Sequence, residues 1–280
     1  MAARDFLRGL LLPLRGGRLI LNTPGAKRWA AAPFLCNVLL YALAFALLVW
    51  LLRDFDGFHF AWSFWGGWGE RLAGWAAAGG RWLVWLTALP LFLFVGWFTF
   101  FLCGAVLAAP FNDVLSEKLE VALTGRPAPA GGWRATWRSL RLSVPSALRL
   151  LMRQLFWMAL ALPLLLVPLV GQAAWFLLNA YFTGLAYLDV AMARNFLGHR
   201  AKLAAARENR AVVTGLGAAL LLLFAVPFLG LALLPLGVAG ATILYCSLDW
   251  RGVLARAGLP PPEGFRFPAP APGAARPEHA

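Results

Sequence analysis

Charge is scarce in this chain of 280 residues: 13% are Asp, Glu, Lys or Arg, against about a quarter in an ordinary soluble domain. Acids are scarcest, 12 against 25 Lys and Arg, and 22 of those 25 are arginine. With 61% of residues hydrophobic, too little polar material remains to cover a globule in water. A soluble or a disordered chain is therefore excluded, and part of the solvent must be lipid. Cysteine is nearly absent. Cys36, Cys103 and Cys246 each lie in or at the end of an apolar run with no CxxC pair, which excludes a disulfide scaffold and leaves them as small packing residues. The three histidines, His59, His199 and His279, stand alone, so no metal-ligand spacing exists and no metal or other cofactor is expected. No P-loop, GxSxG or GxGxxG after a strand is present, and no ionisable side chain interrupts an apolar run, so an enzyme is not expected. Nucleic-acid motifs are missing too. The basic excess of +13 suits anionic headgroups and cytoplasmic loops instead.

What is present is a set of charge-free runs. Trp29 to Leu52 spans 24 residues and Trp82 to Asn112 spans 31. Each is long enough as a helix to cross a ~30 Å hydrocarbon core. Two further runs have awkward lengths: Gln154 to Leu188 has 35 residues and Ala211 to Ser247 has 37. Each is too long for one span and short for two spans of ~20 residues plus a turn. The first carries Pro163, Pro168 and Gly171 near its middle, and the second Pro227, Gly230, Pro235 and Gly237. Helices end or kink at such residues. The spacing predicts helical hairpins with limbs of ~12–16 residues, which rise ~18–24 Å and penetrate partway or cross steeply against protein.

The intervening segments set the sides. Residues 1–28 hold six Lys/Arg and one acid, 113–153 seven against three, and 189–210 five against two, while 53–81 holds three of each. Only 53–81 is expected outside, with both termini cytoplasmic and each awkward run returning to the side it entered. The N-terminal stretch does not read as a cleaved signal peptide, because its apolar span is too long and no small-residue cleavage site follows. Arg4, Arg8, Arg15 and Arg18 suggest one face of an interfacial helix, broken by Pro13 and Gly16-Gly17. Tryptophans 62, 65, 68 and 75 in the outer loop read as an interfacial belt; a sugar-stacking platform lacks the carboxylates it would need. Residues 112–124 form an amphipathic helix stopped by Gly125. Residues 1–256 are expected to be a single α-helical membrane domain, and 257–280 a Pro/Ala-rich disordered tail.

Two places hold residues that could meet an ion. In Thr23-Pro24-Gly25-Ala26-Lys27-Arg28, Thr23 suits a helix N-cap and Pro24 the first helical position, leaving the Gly25 and Ala26 amides free at the positive end of the dipole. Lys27 and Arg28 add full charges, a combination suited to a tetrahedral dianion. Basic residues before a span also serve as ordinary topology signals. The second place is Pro110 to Lys118. Pro110 interrupts the second span, Asn112 would cap a new helix, Asp113 favours its first turn, and Glu117 would pair with a cytoplasmic arginine and gate a path. A purely structural kink is the plainer alternative.

Four segments carry a resemblance: TPGAKRWAAAPFLCN at 23–37, AAPFNDVLSEKLEVALTG at 108–125, AYLDVAMAR at 186–194 and VPFLGLALLPLGVAGAT at 226–242. Along most of residues 16–250 the chain resembles the CysZ sulfate permeases, within the wider etoposide-induced-protein membrane family. The resemblance implies an all-helical protein with long transmembrane helices and shorter hemi-penetrating pairs, sulfate import, and oligomers. It places the family's sulfate-contacting stretch on Gly25, Lys27 and Arg28. Lysine stands at 27 where arginine is usual, keeping charge but losing the bidentate fork. Asp189-Val190-Ala191 replaces the family's Asp-Tyr-Pro, and Gly230 a frequent asparagine.

The expected fold class is all-α, a polytopic membrane protein with two long transmembrane helices and two short re-entrant hairpins. The expected function is an anion transporter or channel of the CysZ type in a bacterial inner membrane, taking up sulfate as a homo-oligomer. The alternative is a non-transport membrane protein serving assembly, trafficking or lipid organisation.

Overall fold

Proline and glycine set the joints between helices, and small residues set the contacts between them. The structure, a computed structural model, describes residues 2–53, 86–87, 90–91, 94, 110–125, 133–225, 229–262, 265 and 267–268. Among these the regular secondary structure is helical. The helices are α1 (Ala2–Leu10), α2 (Leu12–Asn22), α3 (Ala26–Arg53), α4 (110–124), α5 (Trp133–Ala161), α6 (Val170–Arg194), α7 (His199–Glu208), α8 (Arg210–Phe224), α9 (Leu229–Ser247) and α10 (Trp250–Arg256). The chain divides into two units, residues 32–109 and the remainder. Of the first, the described part is chiefly the length of α3, whose Leu35, Leu39, Leu43 and Leu47 are exposed. The expected outer loop 53–81 and nearly all of the expected span Trp82–Asn112 lie outside the described residues.

Among the described residues three helical stretches are long and apolar enough to cross a membrane: Ala26–Leu47, Leu148–Leu166 and Val170–Arg194. The first coincides with the expected span. The other two flank the expected break in the first awkward run. α5 stops at Ala161, a 3₁₀ turn runs Leu162–Leu166 around Pro163, and α6 starts at Val170. Gly171 closes this tip, because a Cβ there would collide with the Leu164 carbonyl. The limbs are longer than the expected 12–16 residues, 29 in α5 and 25 in α6. Both helices continue past the charge-free run into its charged flanks, which a count of apolar residues cannot register.

The second run also breaks: α8 ends at Phe224 with Ala225 as its C-cap, and α9 is described from Leu229. Pro235 and Gly237 do not take part: they lie inside α9. Gly237 is there for contact, since a Cβ would come within 2.6 Å of the Tyr187 ring. The limbs, 15 and 19 residues, are close to the expected length.

The core gathers α6, α8 and α9 around Leu188, Met192, Leu216, Leu220 and Tyr245, all nearly inaccessible. Gly184 of α6 abuts the Val213 carbonyl, and Gly217 of α8 abuts the Ala180 carbonyl. The order reverses, so α6 and α8 run antiparallel at backbone contact, the geometry that small residues permit. The same device mounts the N-terminal helices. Gly9 of α1 meets Val212, Gly215 of α8 meets Phe6, and Gly16 of α2 has the Gly240 amide 2.7 Å from where its Cβ would stand. The N-terminal helix is broken as expected, though at Leu11, ahead of Pro13, and the two glycines at 16 and 17 are helical. It is not simply laid on lipid: α1 packs on α8 and α2 on α9, while Arg4, Arg8, Arg15 and Arg18 remain exposed.

At the far end, Trp250 of α10 is buried and donates its indole N–H to the Tyr245 carbonyl at 2.9 Å. Packing continues past residue 257, the expected start of the tail. Phe265 stacks edge-on to Trp250 at 6.1 Å and Phe267 to Phe265 at 5.1 Å.

Candidate functional site

The stretch 23–28 is a joint between α2 and α3. Thr23 does not cap α3 as the sequence suggested. Its hydroxyl donates back to the Leu19 carbonyl at 2.8 Å, and its amide bonds the same oxygen at 3.0 Å, so it terminates α2. Pro24 and Gly25 make the turn, and α3 begins at Ala26. The Ala26 amide is not free either: it donates to the Thr23 carbonyl at 3.2 Å. Gly25 has φ +75°, a conformation that costs other residues strain. The amides of the first α3 turn have no acceptor within the helix. Lys27 and Arg28 are exposed beside them.

A hydrophobic anchor holds this turn. Ala26 is fully buried with Ile20, Leu115, Leu119, Val238 and Ala239, and Trp29 lies 6.1 Å from Phe111, ring to ring. A buried hydroxyl pair, Ser116 Oγ and Thr242 Oγ1 at 2.9 Å, ties α4 to α9. The anchor brings α4 against the joint and with it a cation the sequence did not connect to this loop. Lys118 Nζ stands 4.0 Å from where a Cβ at Gly25 would be. Gly25, Lys27, Arg28 and Lys118 thus surround one turn of backbone. Separated by some 90 positions, Lys118 could be found only through the fold.

The second expected cluster is rearranged. Residues 110–112 are already helical, so Pro110 lies within α4 and Asn112 does not cap it. Gly125 ends the helix as expected, with φ +66° and its amide on the Val121 carbonyl at 2.8 Å. Among the described residues neither Asp113 nor Glu117 makes an ion pair within 4 Å, although the Arg194 charge acts on Asp113. The acid that pairs is Glu120, one turn further on. Arg194 Nη2 donates to Glu120 Oε2, Arg194 Nη1 donates to the Asp113 backbone carbonyl at 3.2 Å, and Asn195 Nδ2 reaches Glu120 at 3.3 Å. Both charged side chains are mostly buried. Glu120 was visible in sequence as one of three acids after the second span; its choice over Glu117 follows from which α4 face meets the foot of α6.

Asp189 at that foot also takes a partner. Lys202 of α7, almost fully buried, bonds it at 2.6 Å. Close by, burial pulls His199 below its ordinary value of 6.5, and Arg149, Arg153 and Lys202 pull it further, with Asp189 opposing.

Residues 12–235 match the family described as sulfate transporter CysZ/etoposide-induced protein 2.4. The chain belongs to this family. The matched range contains the 23–28 joint, α4, the α5–α6 pair, α8 and the start of α9. A relative named sulfate transporter CysZ from Pectobacterium atrosepticum is 30% identical over 241 residues, covering 82% of this chain and 81% of the relative. One of the same name from Pseudomonas paraeruginosa is 28% identical over 260 residues, 86% of this chain and 95% of the relative. Another, from Salmonella paratyphi A, is 28% identical over 253 residues, 84% and 90%. This chain is an all-helical, multi-pass membrane protein of a transporter family, as its apolar helices and relatives together indicate.

Proposed function

We propose that this chain is a bacterial inner-membrane permease of the CysZ type that takes up sulfate, with the Gly25–Arg28 turn as its anion site. The observation that carries this reading is the match to bacterial proteins named as sulfate transporters over 81%, 95% and 90% of their lengths. The geometry supplies the chemistry. A positive-φ glycine lets an oxyanion approach the backbone, first-turn amides and the helix dipole favour negative charge, and three cations from two helices surround the turn. Glu120 lies on the helix that carries Lys118, and its pairing with Arg194 keeps a bare carboxylate from repelling an arriving dianion.

The same reading makes both helical pairs re-entrant. α5 and its 3₁₀ turn carry an apolar stretch from Leu148 to Leu166 and α6 returns from Val170, so the Lys/Arg-rich segments 113–153 and 189–210 stay on one side. The exposed apolar surface of α5 runs from Leu148, Leu151 and Met152 through Leu155, Phe156 and Leu160, and α6 adds Phe176 and Leu177, whereas Leu185, Leu188 and Met192 toward the end of α6 are buried. Both termini are then cytoplasmic and residues 53–81 outside. The limbs' exposed tips pack against further copies, making a homo-oligomer that shields a water path.

Sulfate uptake into proteoliposomes tests the function. A charge-assisted contact contributes about 1.5–3 kcal/mol, so Arg28→Ala is expected to weaken sulfate binding roughly 10- to 150-fold, and Lys27→Arg to preserve or improve it. Normal sulfate binding and transport by folded Arg28→Ala protein would remove the site assignment, and wild-type protein inert toward sulfate would remove the function. Single cysteines in a background lacking the three native ones test topology. A cysteine at Gly66 should be labelled from outside and one at Arg200 should not.

A further inference from the structure

A second polar site lies apart from the Gly25 turn. Between α1, α6, α7 and the start of α8 is an open groove of about 710 Å³. Two exposed guanidiniums, Arg207 and Arg210, form one wall. The Tyr181 and Thr214 side chains face the same space, with Phe6 and Ala211 as apolar wall. Arg153 from α5 is near enough to act on Tyr181 as well as Arg207, so two guanidiniums bear on that hydroxyl and Arg210 lines the same space. Among the described residues neither Arg207 nor Arg210 has a carboxylate partner, and the Tyr181 and Thr214 hydroxyls make no hydrogen bond to protein. Asn209, the residue before α8, turns its amide back to the Ala205 carbonyl and leaves the α8 N-terminus uncapped by a side chain.

Convergent cations, hydroxyl donors and an uncapped helix start select a phosphate-type oxyanion. The apolar wall and the position of the groove select its carrier. The groove opens one turn of α6 beyond the exposed Phe176 and Leu177 and is walled by the exposed Arg207 and Arg210, the apolar-to-charged transition at which a bilayer presents its headgroups. We propose that this groove binds the phosphate headgroup of an anionic phospholipid, with Arg207 and Arg210 on the phosphate, Tyr181 and Thr214 as donors, and Phe6 against the glycerol and first acyl carbons. The site would fasten α1 and the α7–α8 corner to the cytoplasmic leaflet.

Native mass spectrometry of the detergent-purified full chain with added phosphatidylglycerol tests this. Wild-type protein should retain phosphatidylglycerol in preference to phosphatidylcholine. Arg207→Gln/Arg210→Gln should lose that retention roughly 10-fold or more, since both charge-assisted contacts go, and Arg207→Lys/Arg210→Lys should recover part of it. Ala3→Trp, which fills the groove without changing charge, should also reduce retention. Arg200→Gln/Arg251→Gln, equal in charge but outside the groove lining, should not. Equal retention by the groove and control variants would overturn the proposal. A second arm titrates inorganic phosphate at millimolar concentration. Failure to displace the lipid is expected, whereas tight phosphate binding that phosphatidylglycerol does not compete with would overturn the lipid assignment. Sulfate binding at the Gly25 turn is read separately, so failure here leaves the permease reading standing.

Discussion

The two helical pairs use the same amino acids to opposite ends. In α5–α6 the outer halves present leucine, phenylalanine and tryptophan outward, and Leu160, Leu162 and Leu166 are largely exposed. In α8–α9 the halves away from the joint are buried in protein, Val213, Leu216, Leu220, Val238 and Leu244 among them, and Leu222 near the end of α8 is exposed. Hydropathy does not separate the pairs, since both are apolar throughout. Glycine placement does. Gly184, Gly215, Gly217 and Gly240 each touch the backbone of a neighbouring helix, so α8–α9 is held on several sides by α6, α1 and α2, while the tip of α5–α6 has no such seats. Small residues decide which apolar surface becomes core and which is left to lipid or to another copy.

The largest effect should come from breaking that rule at its tightest point. Gly217→Leu drives a side chain into the Ala180 carbonyl and should destabilise the protein by about 3–5 kcal/mol, seen as a collapse of the thermal midpoint in detergent. Next comes the foot of the bundle. Lys202→Met leaves Asp189 without its cation in a mostly buried setting and should cost about 2–3 kcal/mol. Restoring near-normal stability with Asp189→Leu/Lys202→Met would show that the loss is the orphaned carboxylate. By contrast, truncating the exposed limb, Leu160→Ala, should shift the midpoint of the isolated chain by less than about 1 kcal/mol; a large loss that depends on protein concentration would instead place Leu160 in a subunit contact. The smallest expected effect is a pH dependence from His199. Its proton is held less tightly in the folded protein than at the ordinary 6.5, so the unfolded chain binds more protons below that pH. Stability should fall as pH drops through and below 6.5, and His199→Gln should flatten the slope.

Sequence reading reached the joints because their signals are local. Pro163 and Pro168 remove amides from a helix, and the chain turns there. The same logic misjudged Pro235 and Gly237, which stay helical because Tyr187 and Leu220 pack against that stretch. It misjudged Thr23 as well: a threonine before Pro-Gly starts or stops a helix with equal plausibility, and the choice rests on Ala26 being anchored under α4. Lys27 and Arg28 were legible as charges beside Gly25. Lys118, Arg194 and Lys202 were not legible as partners of Gly25, Glu120 and Asp189, since each pairing joins two different helices or joints and exists only once these are stacked.

The seating of α1 on α8 also sets a clock. Gly9 finds its partner Val212 only after some 200 further residues have been made, which at ~5–20 residues per second takes roughly 10–40 s. Through that interval the N-terminal helices exist without their docking surface, with Leu12 and Ile20, buried in the finished protein, still uncovered. Their arginine face and the bilayer surface offer a waiting place. Assembly of this protein therefore closes by bringing its first-made helices onto its last-made pair, and ribosome-bound chains halted before residue 210 should leave α1 and α2 open to protease.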